Sequence, residues 1–231
     1  HLNPAMAGGA YYSQDAQVQP MLAAAHLLRL AREMGATVHT RTRVTGFVRD
    51  GLDVAGVLTS RGTISAMAVV NAAGTWGGAI AKLAHVNVPV LPRKGYVMVT
   101  EPLPVMVNHK VYAAEYVDNV ASSDAGLQTS PVVEGTSGGT ILIGSSRERV
   151  GFDKRFNPLV VSQMAAKAIA LFPFLAEVKA LRSYSGFRPY CPDHLPVIGA
   201  DPRAPGLFHA CGHEGDGIGL SVGTGALIAA A

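Results

Sequence analysis

A chain of 231 residues with 48% hydrophobic content carries enough apolar side chains for a sizeable core, in one large domain or two interleaved ones, and this excludes a disordered chain. Its net charge of +3, with a pI near 9.0, comes from scattered pairs such as Arg41/Arg43, Arg147/Arg149 and Lys154/Arg155; no basic run interleaved with aromatics is present, which argues against nucleic-acid binding. Mean hydropathy is +0.25, yet Gly, Pro or charge breaks each apolar run well short of the roughly 20 residues a membrane helix needs, so the expectation is a protein without a membrane span.

In chain order, Pro20 to Met34 reads as a helix: proline sits in the first turn, Ala23, Leu27, Leu30 and Met34 form an apolar stripe for packing, and Gly35 follows as a stop. Strand-like runs come next at Thr37 to Thr40, Val44 to Val48, Val54 to Thr59 and Met67 to Asn71, with Arg49-Asp50-Gly51 and Arg61-Gly62 as turns. The last of these runs into Ala72-Ala73-Gly74-Thr75-Trp76 and a helix to Ala84, a strand–turn–helix unit with small residues in the turn.

Between Val88 and Tyr184 the segments lengthen: Tyr96 to Thr100, Val111 to Tyr116, Val132-Val133 and Thr140 to Ile143, with a hairpin turn over Glu134 to Gly139. An antiparallel sheet is expected there. Asn157 as N-cap and Pro158 at the first helical position open a helix that ends before Phe172-Pro173. Leu181 to Arg188 extends again, and Leu207 to Cys211 forms a last strand before a glycine cluster and a closing helix. The expected class is mixed α/β, with α/β pieces at both ends and a sheet domain between. Cys191 and Cys211, the only cysteines, lie in apolar strand-like surroundings, which suits buried thiols in a reducing compartment, the cytoplasm by default. His1 follows neither a charged nor an apolar leader-like region, so the expectation is no signal peptide and a chain cut at its start.

The strongest local signal is Leu207 through Gly219, a strand leading through closely spaced glycines into a helix. A helix N-terminus offers unpaired N–H groups and partial positive charge, and glycines admit a ligand close to the backbone. Without a Lys-Ser/Thr pair or G-x-G-x-x-G spacing, phosphate is not distinguished from another acceptor, and on glycines alone a tight turn with nothing bound is the favoured reading. His209, Cys211 and His213 alternate on one strand face, but no fourth ligand follows at zinc-like spacing, so satisfied structural histidines are preferred to a metal site. Glu214 and Asp216 at a helix start are explained by the dipole. Arg188, a lone cation in Ser185-Gly186-Phe187-Arg188-Pro189-Tyr190, either takes a substrate carboxylate with its planar fork or pairs with an acid such as Asp193. Ser122-Ser123 and Ser145-Ser146 sit in no G-x-S-x-G turn and no H-E-x-x-H helix exists, which leaves hydrolase mechanisms little support.

Across nearly the whole chain these residues resemble the D-amino-acid oxidase family of FAD-dependent oxidoreductases, which includes glycine and sarcosine oxidases, D-amino-acid dehydrogenases and subunits of amine dehydrogenases. The resemblance rests on Gly9, Asp15, Val18 and Pro20; Thr42-Arg43-Val44-Thr45-Gly46; Val69-Val70-Asn71-Ala72-Ala73-Gly74-Thr75-Trp76; Arg93-Lys94-Gly95; Gly186-Phe187-Arg188-Pro189; Asp193 with Pro196 to Gly199; and Gly212-His213 with Gly217-Ile218. It implies an FAD-binding α/β domain of the glutathione-reductase-like type with an inserted antiparallel-sheet substrate domain: 1–86 as part of the FAD-binding domain with the start of the substrate domain, 87–185 as the substrate domain, and 186–231 as the C-terminal part of the FAD-binding domain.

The resemblance further implies that the Val44 backbone touches the adenine and that Ala73 and Gly74 pass close to the dinucleotide. Gly212, His213, Glu214, Gly215, Gly217, Ile218 and Gly219 would cover the pyrimidine side of the flavin, and Arg188 would clamp the carboxylate of a small amino acid or amine whose C–N bond is oxidised by hydride transfer. Two departures stand out. Family members begin with a G-x-G-x-x-G turn that nothing before His1 supplies, so the N-terminal dinucleotide-binding unit is expected to be missing and this chain to bind FAD poorly on its own. Gln128 stands where glycine oxidase-like members carry an active-site tyrosine, with Tyr116 or Tyr190 as alternatives. A non-catalytic subunit of a heteromeric amine dehydrogenase is the second reading, and a homo- or hetero-oligomer is left open.

Overall fold

Asn157 opens the best-specified helix in the chain. Its side chain accepts a hydrogen bond from Leu159 N, Pro158 occupies the first helical position, and α4 runs Pro158–Leu171. Val160, Met164, Ala168 and Leu171 recur at helical spacing and are all buried, so α4 has one core face. The computed structural model describes residues 1–231. It bears out the mixed α/β class: five α-helices, two 3-10 turns and eleven strands.

The chain folds as two compact units, one made of residues 1–15 and 92–188, the other of 16–91 and 189–231. The first unit carries a sheet of five strands: β5 (Leu91–Thr100), β6 (Val111–Tyr112), β7 (Gln128–Gly135), β8 (Ile141–Arg147) and β9 (Ala180–Tyr190), in the order β6-β7-β8-β5-β9. The pairs β6–β7, β7–β8 and β5–β8 are antiparallel. Helix α4 covers one face, where its apolar side packs with Tyr96, Met98, Val133, Ile141 and Ile143. Each buried side chain of this size contributes on the order of 1.5–3 kcal/mol. The hairpin turn falls where the glycines place it, with Thr136 N donating to Thr140 O and Gly135 paired to Ile141.

One expectation for this unit is corrected. Tyr116 does not extend β6; after Tyr112 the chain turns into helix α3 (Glu115–Ala121), whose first turn holds Glu115 and Asp118, carboxylates favoured at a helix N-terminus. Residues 1–15 group with the sheet unit. Asn3 N donates to Leu171 O and Asn3 Nδ2 to Ala170 O, while the His1 ring meets Phe174 edge-on, so the end of α4 anchors this segment.

The second unit holds two three-stranded sheets. Strands β1 (Val44–Asp50), β2 (Asp53–Thr59) and β3 (Gly62–Ser65) form an antiparallel meander. The other sheet is ordered β10-β11-β4, with β4 (Val69–Asn71) parallel to β11 (Leu207–Cys211) and β10 (Val197–Ala200) antiparallel to β11. Helix α2 (Gly77–Leu83) follows β4 through a 3-10 turn at Gly74–Trp76, and α5 (Gly217–Ala230) follows β11. Val54, Ala81, Val86, Val88, Val90, Leu207 and Cys211 form its core. Both cysteines are free and buried. Thr37 to Thr40, expected as a strand, is irregular: the chain turns at Arg41 with φ +54°, and pairing starts only at Val44. Helix α1 (Pro20–Glu33) forms where predicted, capped by Gln19, yet none of its residues is buried, so its apolar stripe does not pack as expected. No helix is long and apolar enough to cross a membrane.

Candidate functional site

The parallel neighbours β4 and β11 run in register, Val69 beside Leu207 and Asn71 beside His209. Both therefore deliver their following turns, Ala72–Gly74 and Gly212–Asp216, at the same edge of the sheet. The C-terminal ends of parallel strands are where open α/β sheets receive ligands. A groove of about 440 Å³ lies there, and Val70, Ala72, Ala210, His213, Gly217 and Ser221 are among the residues lining it.

The first turn is fixed from behind. Asn71 is buried; its Oδ1 accepts from Ala73 N at 3.3 Å and its Nδ2 donates to Gly77 O at 2.9 Å. Gly74 follows with φ +54°, and a Cβ added there would meet nothing within 4 Å. The backbone at Ala73–Gly74 thus turns an open face outward. In the second turn Gly212 has φ +83°, and a Cβ there would stand 2.5 Å from Cys191 Sγ, so the position admits only glycine without displacing the thiol. His213 Nε2 lies 2.9 Å from Thr224 Oγ1. Burial holds the His213 imidazole below its usual titration range. Glu214 has φ +48°, its N–H donates to Pro189 O at 3.2 Å, and its Oε1 lies 2.9 Å from His194 Nδ1.

Beyond Glu214 the backbone opens. Cβ atoms built on Gly215 and Gly219 would meet nothing within 4 Å, so both glycines face free space at the start of α5, and Ile218 between them is half exposed. A Cβ added at Gly217, the first residue of α5, would stand 3.4 Å from the His213 Cβ. A helix start with bare backbone on its outward side fits an anionic or electron-rich planar group, which N–H dipoles and the helix field stabilise. Val44 stands elsewhere, at the head of β1 opposite Thr59.

The histidines that invited a metal reading each have protein partners: His213 has Thr224, and His209 lies between Asp201 and Asn71. Asp201 and its neighbours carried no sequence signal, because the residues meet only through the β10–β11 pairing and the parallel β4–β11 pair.

In the sheet unit, Arg188 on β9 donates from Nη1 to Ser146 O at 3.0 Å. A Cβ on Gly95 of β5 would collide with the Arg188 guanidinium and lie 2.5 Å from Ser146 O. Gly95 is therefore small because the arginine lies across it. Arg147 is buried on β8 with its guanidinium 5.1 Å above the Tyr116 ring, and its pKa is lowered to about 10 by burial and by the charge of Arg188. Gln128 pairs with Arg147 across β7–β8 and accepts from Arg93 Nη2 at 3.2 Å. Gln128 and Tyr116 thus sit in a cationic patch. Sequence reasoning isolated Arg188 and missed Arg147; alternation along β8 gave no sign of the register shift between Thr129 and Val132 on the neighbouring strand.

The family model described as FAD dependent oxidoreductase matches residues 1–231. The expectation of a missing N-terminal unit gains no support from that match, which begins at residue 1. The hydrogen cyanide synthase subunit HcnC of Pseudomonas aeruginosa is 32% identical over 216 residues, covering 93% of this chain and 48% of the relative. The glycine oxidase of Geobacillus kaustophilus is 34% identical over 230 residues, 97% of this chain and 56% of the relative. A crystal structure of glycine oxidase from Geobacillus kaustophilus superposes with a TM-score of 0.77 at 30% identity, over 89% of this chain and 52% of the other. L-proline dehydrogenase from P. horikoshii shares the fold, with a TM-score of 0.82 at 24% identity over 91% of this chain and 54% of the other. The chain spans about half the length of the curated relatives it matches.

Proposed function

The chain belongs to the FAD dependent oxidoreductase family, and from that membership we propose that it forms the substrate-binding part and the C-terminal flavin-binding part of an enzyme oxidising the C–N bond of a small amino acid or secondary amine. Glycine, sarcosine, proline and D-amino acids are the proposed substrate class. The observation that carries the reading is the shared sheet edge at which β4 and β11 present two glycine turns with open backbone faces.

The residues present fit FAD. Gly74 offers bare backbone to the dinucleotide with Ala73 proposed beside it, Val44 is proposed at the adenine, and Gly212, His213, Glu214, Gly215, Gly217, Ile218 and Gly219 are proposed along the pyrimidine side of the ring. FAD bound there would supply the acceptor for the hydride leaving the substrate carbon. The chain's own part is electrostatics and positioning. The N-terminus of α5 stabilises negative charge, the His213–Thr224 contact fixes the turn, and the Arg188 fork orients the substrate carboxylate.

A second reading, a subunit that works only within a larger assembly, is favoured by the likeness to HcnC, itself described as a synthase subunit. The free, buried Cys191 and Cys211 support a reducing location, and the cytoplasm is proposed.

The test is anaerobic addition of glycine, sarcosine, proline and D-alanine to the FAD-loaded full-length protein. Bleaching of the flavin band by one of them is expected, and Arg188→Met should raise the half-saturating concentration about 10- to 100-fold, the worth of a charge-assisted pair. A flavin band unchanged by all four contradicts the proposed substrate class.

A further inference from the structure

Behind the Ala72–Gly74 turn runs a buried polar chain. Arg203 donates to Asp201 three times: N to Oδ1 at 2.9 Å, Nε to Oδ1 at 2.8 Å and Nη2 to Oδ2 at 2.7 Å. The arginine holds the Asp201 carboxyl far below the usual carboxylate range, so Asp201 only accepts. His209 Nε2, 3.1 Å from Asp201 Oδ2, is then the donor. A neutral imidazole with its proton on Nε2 has a bare Nδ1, and Asn71 Nδ2 stands 3.2 Å from that atom.

The other end fixes the same direction independently. Gly77 O can only accept, so the Asn71 atom 2.9 Å from it is the amide nitrogen, which leaves Oδ1 for Ala73 N. Flipping the amide would set oxygen against oxygen at Gly77 and N–H against N–H at Ala73. Asn71, Asp201 and His209 are 2–3% exposed, so no water replaces a lost partner cheaply.

We propose that His209 is a positioning residue which, through Asn71, locks the Ala72–Gly74 turn in the conformation that presents its open backbone to the dinucleotide. The consequence for cofactor binding rests on the FAD reading above. His209 itself touches no ligand in this account; its role passes along hydrogen bonds with one assigned direction.

The test uses His209→Leu and His209→Gln in the full-length protein. Glutamine keeps one donor for Asp201 and one acceptor for Asn71. Three readouts are taken: the imidazole tautomer by nitrogen NMR, amide exchange at Ala73 without FAD, and the FAD dissociation constant. Expected are a bare Nδ1 on His209, Ala73 exchange and an FAD dissociation constant both raised about tenfold or more in His209→Leu, and recovery to within about threefold in His209→Gln. An Nδ1–H tautomer, a leucine variant matching the parent in exchange, or a glutamine variant that fails to recover overturns the proposal. Should the leucine variant not fold, the tautomer and the glutamine variant still decide. A parent protein that takes up no FAD sinks the cofactor reading, while the tautomer and exchange still decide the role of His209.

Discussion

His213 Nε2 lies 2.9 Å from Thr224 Oγ1, tying the glycine turn to the middle of the helix it opens. Burial lowers the pKa of His213 from its ordinary 6.5, so the folded state favours the neutral ring. The unfolded chain then binds more protons than the folded one just below that value. The stability from neutral His213 is complete above about 6.5 and is lost as pH falls through the folded pKa. The melting-temperature gap between parent and His213→Gln should narrow as pH drops from about 7.5 to about 5.5. A gap constant over that range contradicts the assignment.

Gly95→Ala pushes a methyl into the Arg188 guanidinium and against Ser146 O, a backbone atom that cannot swing aside. Overpacking of this kind costs about 1–3 kcal/mol. Thermal unfolding should show the loss, and carboxylate binding should weaken as Arg188 leaves its seat. An alanine variant with parental stability and binding means the arginine does not lie where the structure has it.

Gly78 packs α2 against the chain at Val88 and Val90, whose carbonyl oxygens would stand 2.9 and 2.6 Å from an added Cβ. Gly78→Ala should lower the melting temperature by several degrees, about 2–4 °C per kcal/mol at this size. Gly219→Ala serves as the comparison, because its Cβ meets nothing within 4 Å. That variant should melt at or above the parent, since Ala is the better helix former.

Asp201→Asn removes a carboxylate 1% exposed that pairs with Arg203 and His209. Arg203 is 54% exposed, so water recovers part of the loss, and a cost of about 1–3 kcal/mol is expected at neutral pH. The folded pKa lies below the unfolded one, so this stabilisation is present above about 3.9 and fades only as pH falls through the folded value. Urea unfolding of parent and variant should therefore differ equally at pH about 7 and about 5, and converge only in stronger acid. Convergence already near pH 6 would contradict the pairing.

Local signals carried much of the fold. Asn157-Pro158 marked α4 because a cap and a fixed φ act on neighbouring residues, and the turn between Glu134 and Thr140 closed its hairpin for the same reason. Thr37 to Thr40 shows the limit: its residues suit a strand, but a strand needs a partner, and none pairs before Val44. Tyr116 fell to a helix because Glu115 and Asp118 favour a helix start over the extended chain. In the site, the glycines and Arg188 were legible as unusual residues in apolar surroundings. Asp201, His209 and Arg147 were not, because their roles arise from strands that meet only on folding.

FAD binding by the full-length parent protein and by its Gly215→Val variant, followed by flavin absorbance and fluorescence, probes the proposed cofactor face without disturbing the fold. The Gly215 Cβ direction is open space, so valine should leave the melting temperature of the FAD-free protein nearly unchanged. It would, however, fill the face proposed for the cofactor. Tight binding is expected of the full-length parent protein, with an affinity about tenfold or more weaker in the variant. Equal affinity in both proteins, or no flavin uptake by the parent, would contradict the proposed cofactor face.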